Sequence, residues 1–342
     1  MIYSVKYAES SDCLKIQSFI EKHWRKDHIL SLSKELLDFQ HLNPLSRKYN
    51  FIIAINNTTA EIDALLGFIP TYQYDKELFK EGNYWGAIWK VRTDVQNAEI
   101  KNLGLTIWEK LFELDNFQSW AAIGISEIAK KIYAISGMQI GELAHYYLPN
   151  INVKNFYIAE HVDVKQVSFP QYPGDIAIRE IHIEQIQERI DCTYRPRKSI
   201  SYLKNRYLNH PFYKYCFWGI FDSERLVSIW TLRIIKMNKS RAIRIVDILG
   251  NIEYLPCLSA ELQKMLVDIG AEYMDILNYG INEEVFFNLG FLKLNPIGDV
   301  IIPNYFEPFE RKNIRIEFAY KADFNYVIFK GDSDQDRPNI IQ

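Results

Sequence analysis

The run Lys101-Asn102-Leu103-Gly104-Leu105-Thr106 joins a cation to a glycine where the sequence turns helical. At a helix start such a run can receive a pyrophosphate. The first N–H groups there lack intrahelical partners, the dipole end is positive, glycine lets the backbone approach, and Lys101 adds charge. The same residues also read as an amphipathic helix with Leu103, Ile107 and Leu111 on a core, where Gly104 costs about 1 kcal/mol relative to alanine. A second basic run, Tyr194-Arg195-Pro196-Arg197-Lys198, stands before a helix. It either neutralises a diphosphate or is a solvated helix start. Asp334-Gln335-Asp336-Arg337 near the end of the chain is either a disordered terminus or a hydrogen-bonded clamp. No nucleophile elbow, phosphate-loop Lys-Ser/Thr motif or dinucleotide fingerprint accompanies these runs.

The elements that must hold these residues alternate between strand and helix. Strands are expected at Ile2–Tyr7, Asn50–Asn56, Ile62–Tyr74, Tyr84–Thr93, Ser119–Ile125, Ile140–Leu148 and Phe156–His161. Helices are expected at Asp12–Trp24, Ser33–Leu42, Glu99–Leu114 and Glu127–Ile135, the last stopped by Gly137. Pro170, Pro173 and Gly174 mark Asp163–Asp175 as a linker. Beyond it the pattern restarts. Strands are expected at Ile176–Ile181, Tyr215–Phe221, Leu226–Lys236, Arg241–Leu249 and Tyr273–Leu277. Helices are expected at Ile183–Cys192, Lys198–Leu208, Leu258–Ile269 and Asn282–Leu289. Short strands near Lys293–Ile302, Ile314–Lys321 and Tyr326–Phe329 finish the core. Tyr133-Gly137-Met138 lines up with Phe286-Gly290-Phe291 at an offset of 153 residues. Two duplicated lobes are the simplest reading: 1–162, a linker at 163–174, and 175–342.

The 342 residues suffice for two cores, and 48% hydrophobic with 24% charged residues is an ordinary globular balance. Lys and Arg number 40 against 43 Asp and Glu, a net charge of −3. That argues against a nucleic-acid partner bound by bulk electrostatics. Cys13, Cys192, Cys216 and Cys257 are far apart, so neither a metal knuckle nor a disulfide framework is supported. Nothing at the start reads as a signal peptide, and no apolar run approaches the ~18 residues of a membrane span. A cytoplasmic protein without a membrane partner is expected.

The order of elements, with the glycine run opening the helix after the fourth strand, resembles the GNAT superfamily of acyl-CoA N-acyltransferases. Ile132-Tyr133-Ala134-Ile135-Ser136-Gly137-Met138 is similar to the aromatic-Tyr helix that this superfamily places after the next strand. The resemblance implies an α/β (α+β) fold of two tandem lobes, each a mixed, largely antiparallel twisted sheet flanked by helices. It implies acyl-CoA as co-substrate, held by Val91, Thr93 and the run Lys101, Asn102, Leu103, Gly104, Leu105 and Thr106. The acyl thioester would lie between the fourth and fifth strands, polarised by backbone N–H groups near Val91–Thr93. Tyr133 would protonate the departing thiolate. Gly250–Pro256 carries no such glycine run, and Phe286 stands where Tyr133 stands, so one CoA per chain is expected.

The tandem arrangement is similar to sugar N-acyltransferases acting on nucleotide-linked (dTDP- or UDP-) amino sugars in surface-polysaccharide assembly. On that reading Tyr72, Tyr74 and Trp89 line the acceptor cleft or pack the sheet. Arg195 meets the diphosphate. Arg206 and His210 contact the sugar, unless His210 caps the helix end. Asp94, Glu142, His145 or water takes the amine proton. A peptidoglycan-bridge type of aminoacyl transferase and a non-catalytic twin-lobed binding protein are the rival readings. The sequence leaves the oligomeric state open, a homodimer included.

Overall fold

The computed structural model describes residues 2–339 apart from 115, 167–175, 188, 191, 193, 238, 253, 254, 256 and 257. Most of the expected linker, and much of 250–256, therefore lies outside the described residues.

The first sheet uses β1 (Tyr3–Tyr7), β2 (Phe51–Asn56), β3 (Ile62–Pro70), β4 (Asn83–Val91), β5 (Ser119–Ile123) and β6 (Gln139–Glu142). The second uses β7 (Ala144–Pro149), β8 (Ile176–Glu180), β9 (Cys216–Asp222), β10 (Arg225–Met237), β11 (Ser240–Gly250), β12 (Tyr273–Tyr279) and β13 (Leu292–Lys293). A small hairpin pairs β14 (Tyr305–Phe306) with β15 (Phe309–Glu310). The last two strands are β16 (Glu317–Lys321) and β17 (Ile328–Phe329). All pairings in the two large sheets are antiparallel except β4 with β5 and β11 with β12.

The sheets exchange a strand. The first runs β1-β2-β3-β4-β5-β16-β6, so a strand from the end of the chain sits inside it. The second runs β13-β7-β12-β11-β10-β9-β8, so β7 sits inside a sheet otherwise built from residues beyond 175. The single continuous strand expected over Ile140–Leu148 is thus two strands. Leu143 alone carries the chain from one sheet into the other.

Helices flank the sheets where apolar residues recur at helical spacing. α1 (Cys13–Phe19, running on as a π turn through Trp24), α2 (Ile29–Leu32) and α3 (Lys34–His41) cover one face of the first sheet. α4 (Ile100–Leu111) buries Leu103, Ile107, Trp108 and Leu111, one stripe of a 3.6-residue period. α5 (Glu127–Ile135) starts at Ser126, whose hydroxyl accepts from the Ala129 N–H at 3.2 Å, and stops before Gly137. In the second lobe α6 (Ile200–Leu203, continued by a π turn), α7 (Ser259–Ile269) and α8 (Glu283–Asn288) follow. Gly137 and Gly290 both take positive φ, +72° and +86°, after α5 and α8. The next residues, Met138 and Phe291, are both buried. The repeat seen in the sequence is therefore a repeat of local structure.

Two expected elements are absent among the described residues. Ile183, Ile186 and Ile190 mimic a helical stripe, yet only Ile183–Gln185 turns and Ile186 is extended. All three still pack on the core, reached by a non-helical path. Phe156–His161 forms no strand beyond one bridge between Glu160 and Ile301. The Glu272 carboxylate takes the N–H groups of Tyr157, Ile158 and Ala159 at 2.6–3.2 Å, which a neighbouring strand would otherwise claim.

Candidate active site

The two parallel pairs determine where a site can form. β4 and β5 pair from Asn83↔Ser119 to Gly86↔Ala122 and then part. β11 and β12 pair from Ile243↔Met274 to Ile245↔Ile276 and then part. Parting leaves strand carbonyls without ladder partners, and buried backbone groups must be satisfied. The segment from Tyr326 to Asn339 satisfies them in both sheets. In the second, β17 pairs with β12 at Asn278 and Tyr279. The Lys330 N–H then donates to the Leu277 carbonyl at 3.1 Å, and the Gly331 N–H to Val246 at 2.8 Å. In the first sheet Ser333 Oγ donates to the Gly86 carbonyl at 2.7 Å and Gln335 Nε2 to Ile123 at 3.0 Å.

Buried ion pairs hold this segment. Lys198 Nζ lies 2.6 Å from Asp247 and 2.7 Å from Asp332. Burial, with Asp247 beside it, pushes the Asp332 carboxyl up to about 6 against the pull of Lys198. Arg206, fully buried, donates to the Gly331 and Ser333 carbonyls at 3.3 and 3.2 Å. Arg233 pairs with Asp336 at 3.1 Å and Arg337 with Asp334 at 3.2 Å. Burial, the largest influence, opposes ionisation of both acids, but Arg337 with His41 and His28, and Arg233 with Tyr215, Lys330 and Arg244, together hold Asp334 and Asp336 below the ordinary carboxylate range. Of the two readings of this tail, the clamp is the one observed.

Between the lobes lies a cavity of about 470 Å³. Lys90 of β4 and Gly124, just past β5, bring the parted strands of the first sheet to its wall. Arg25, Arg233, Lys330 and Arg337 add cationic groups from other elements. Of the three acids on the wall, Asp334 and Asp336 are paired with Arg337 and Arg233 and Glu307 is left, so the excess of cation rests on Arg25, Lys90 and Lys330. His28 also faces the cavity. Burial, reinforced by Arg337, pushes it down to about 3, so it is uncharged at neutral pH. The wall is thus net cationic and suits an anionic ligand.

Apart from the tail Asp334–Arg337, the residues singled out in the sequence lie elsewhere. α4 begins at Ile100, so Gly104 sits in its second turn and not among the unpaired N–H groups of its start. The Ile100 N–H is taken by the Asn97 side chain at 2.9 Å. Lys101, Asn102, Leu105 and Thr106 are exposed on α4, whereas Leu103 is buried in the core. Val91 packs beside Gly104, and Thr93 is exposed past the end of β4. The Arg92 N–H between them donates to Asp63 at 2.9 Å and is not free to polarise a carbonyl.

Tyr133, 2% exposed, does not reach the cavity. Its ring packs 5.5 Å from Trp89 and 5.4 Å from Trp108, and Trp108 meets Trp120 at 5.2 Å. Burial pushes the phenol up, with Trp120 opposing more weakly. The aromatic cluster assigns Tyr133 and Trp89 to packing.

Tyr72 and Tyr74 are buried, Tyr72 accepting from Asn43 Nδ2 at 3.0 Å and Tyr74 edge-on to Tyr202 at 5.4 Å. Arg195 and Arg197 lie 3.7 and 3.2 Å from Glu81, so the basic run is neutralised across the lobe junction. His210 Nδ1 accepts from the Phe212 and Tyr213 N–H groups at 3.1 and 2.9 Å, holding the turn beyond the helix and capping none of its carbonyls. It and Arg206 stand behind the cavity wall. His210 stacks on Tyr213, whose ring lies 4.1 Å from the Arg233 guanidinium. His145 pairs with Asp275 at 2.9 Å, and Arg244 grips the same carboxylate at 3.0 and 2.5 Å. Asp94 is held well below the carboxylate range, first by Arg92.

Sequence reasoning missed Lys330, Arg233, Arg25 and Lys90. The alternation of Asp332, Asp334 and Asp336 suggests one face of an extended segment, but the chain turns there, with Ser333 at φ +56°, so it was no guide to the site. Among the described residues no group of three or more His, Cys, Asp or Glu side chains forms a metal cluster. Among them no helix is long and apolar enough to cross a membrane.

No family model matches the sequence, and no curated protein matches it. Solved structures do. A GCN5-related N-acetyltransferase from Anabaena variabilis ATCC 29413 is similar over 93% of this chain and 72% of its own, with TM-score 0.55 and 8% identity. A probable N-acyltransferase from Enterococcus faecalis V583 is similar over 94% of this chain and 72% of its own, with TM-score 0.50 and 9% identity. At such identities the likeness defines the fold: mixed α/β, mostly antiparallel, GNAT-like along nearly the whole chain.

Proposed function

We propose that the protein transfers an acyl group from an acyl-CoA to the amine of an anionic acceptor bound between the lobes. The observation that carries this reading is the cavity itself: it opens where β4 and β5 part, and its wall holds more cation than anion. The GNAT-like fold supplies the reaction class by analogy. The acyl thioester would approach along the parted strands beside Lys90 and Gly124. The acceptor amine would attack it directly from the cavity. A nucleotide-linked amino sugar of surface-polysaccharide assembly, its diphosphate facing Arg25 and Lys90, is the acceptor this reading favours. The setting would be the cytoplasm, with one CoA per chain.

A specific observation favours a second reading. Ser333 and Gln335 occupy the edges of the gap, and Asn97 caps the helix start that a pyrophosphate would use. A twin-lobed binding protein with its donor slot closed has these features. Calorimetric titration separates the two. The acyltransferase binds one CoA per chain and releases thiol from acyl-CoA when amino-sugar nucleotides are added. Binding of nucleotide sugar without CoA would establish the second reading. Binding of tRNA would instead point to aminoacyl transfer.

A further inference from the structure

Lys330 is unusual among the lysines of this chain. It is 3% exposed, follows the last pair of β17, and lines the interlobe cavity. Among the described residues no carboxylate lies within ion-pair distance of its Nζ, and its nearest recorded side-chain partner is the Tyr305 ring, 4.6 Å away. Lys198, the other buried lysine, has two carboxylates.

The reason lies in the neighbours. Glu307 lines the same cavity without an ion pair to Lys330, and the charged groups that act most on Lys330 are Arg233 on β10, Arg244 on β11, Asp275 on β12 and Asp336 on the tail. Both aspartates are already committed. Asp275 is gripped twice by Arg244 and once by His145. Asp336 is held by Arg233 and by the Tyr215 hydroxyl at 2.7 Å. Arg244 spends two more of its N–H groups on the Pro303 and Asn304 carbonyls at 3.1 and 3.0 Å. Lys330 is left facing two arginines without an anion of its own. Burial first, and Arg244 next, push its ammonium down to about 7. A desolvated lysine beside other cations is an activated amine.

We propose that Lys330 is a reactive lysine whose Nζ takes the acyl group of a small thioester entering the interlobe cavity. The Nζ lone pair attacks the thioester carbonyl carbon. The C–N bond forms, the C–S bond breaks, and the departing thiolate takes the proton released from Nζ. Nothing is oxidised or reduced. The product is an Nζ-acyl lysine, which removes a cation from the wall and fills part of the cavity. This inference goes beyond the acyl-transfer reading and shares only the cavity with it.

The test uses the full-length chain and two acetyl donors, S-acetyl-N-acetylcysteamine and acetyl-CoA, with acetylated lysines mapped by peptide mass spectrometry from about pH 6 to about pH 9. At neutral pH Lys330 should be acetylated at least about tenfold faster than exposed lysines such as Lys34 or Lys293. Its rate should level off above about pH 7 while theirs keep rising. Concentrated urea should erase the preference, and Lys330→Arg should remove that one product and leave the other sites unchanged. Labelling by the small thioester but not by acetyl-CoA would uphold Lys330 and count against the CoA reading. Labelling of Lys330 no faster than the exposed lysines, or a rate still climbing with them to the top of the pH range, would overturn the proposal.

Discussion

Where β11 and β12 part, the tail closes the gap with backbone: β17 adds a strand to β12, and the Lys330 and Gly331 N–H groups continue the ladder. Where β4 and β5 part, it closes the gap with two side chains, Ser333 on Gly86 and Gln335 on Ile123. The first kind of closure is part of a sheet and cannot be undone without unravelling it. The second rests on hydrogen bonds with a net worth of about 1 kcal/mol each. Rotating two side chains would uncover the first gap, although buried ion pairs hold the tail on either side of it, whereas uncovering the second means removing a strand. The cores differ in the same sense. Beside its parting strands the first lobe stacks Trp89, Trp108, Trp120 and Tyr133, which need no charge. The second lays Arg244, Asp275 and His145 across three adjacent strands.

The largest effect is expected from breaking that ionic row. Asp275→Ala leaves Arg244 buried with its charge unmatched and should cost about 3–5 kcal/mol, read as a lowered urea midpoint. Replacing the pair together, Arg244→Met with Asp275→Leu, should recover much of that loss, because two desolvated charges vanish at once. A single mutant as stable as the parent would show that water reaches the row and that the lobes do not differ as described.

Glycines sharpen the comparison at a smaller scale. A Cβ on Gly331 would meet the Val246 carbonyl and the Tyr207 hydroxyl, each at 2.5 Å. The carbonyl belongs to a central strand and cannot yield, so Gly331→Ala should cost about 1–3 kcal/mol. A Cβ on Gly104 would meet Val91 Cγ2 at 3.3 Å and Trp89 Nε1 at 4.0 Å, both side-chain atoms. Gly104→Ala should leave the first lobe unchanged or stabilise it by up to about 1 kcal/mol, since alanine is the better helix residue. Thermal melts of the two variants decide this. Equal losses would mean that Gly104 is placed for a close approach after all.

Much of each lobe was legible because its signals are local. The stripe Leu103-Ile107-Leu111 and the Ser126 to Gly137 punctuation around α5 need no knowledge of the rest of the chain. The 153-residue repeat also survives as matched glycines and matched buried side chains. The strand exchange was not legible. Leu143 carries no turn residue, and nothing between Ile140 and Leu148 records that the two halves pair with different sheets. The site was missed for a related reason. Asp332–Asn339 looks solvated until Arg206, Arg233 and Lys198, each over a hundred residues earlier, are seen to neutralise it. Composition reports the charges of a segment but not the distant partners that allow it to be buried.

Tyr133 and Phe286 give the finest comparison between the lobes. They stand at matching positions of α5 and α8, and each is 2% exposed. Phe286 stacks on Tyr146 at 4.4 Å, and Tyr133 packs between Trp89 and Trp108. If the two do the same packing, the Tyr133 hydroxyl is dispensable. Tyr133→Phe should fold, shift stability by no more than about 1 kcal/mol, and leave thiol release essentially unchanged. A general acid behaves otherwise, its loss lowering turnover by about 10²–10⁴-fold while substrate affinity persists. Such a drop in a folded variant would place the phenol on the reaction path. It would also require the aromatic cluster to open during turnover, because in this structure the Tyr133 ring is enclosed and the cavity wall is built from other residues. The contrast between a closed aromatic lobe and an ionic one would then describe only the resting protein.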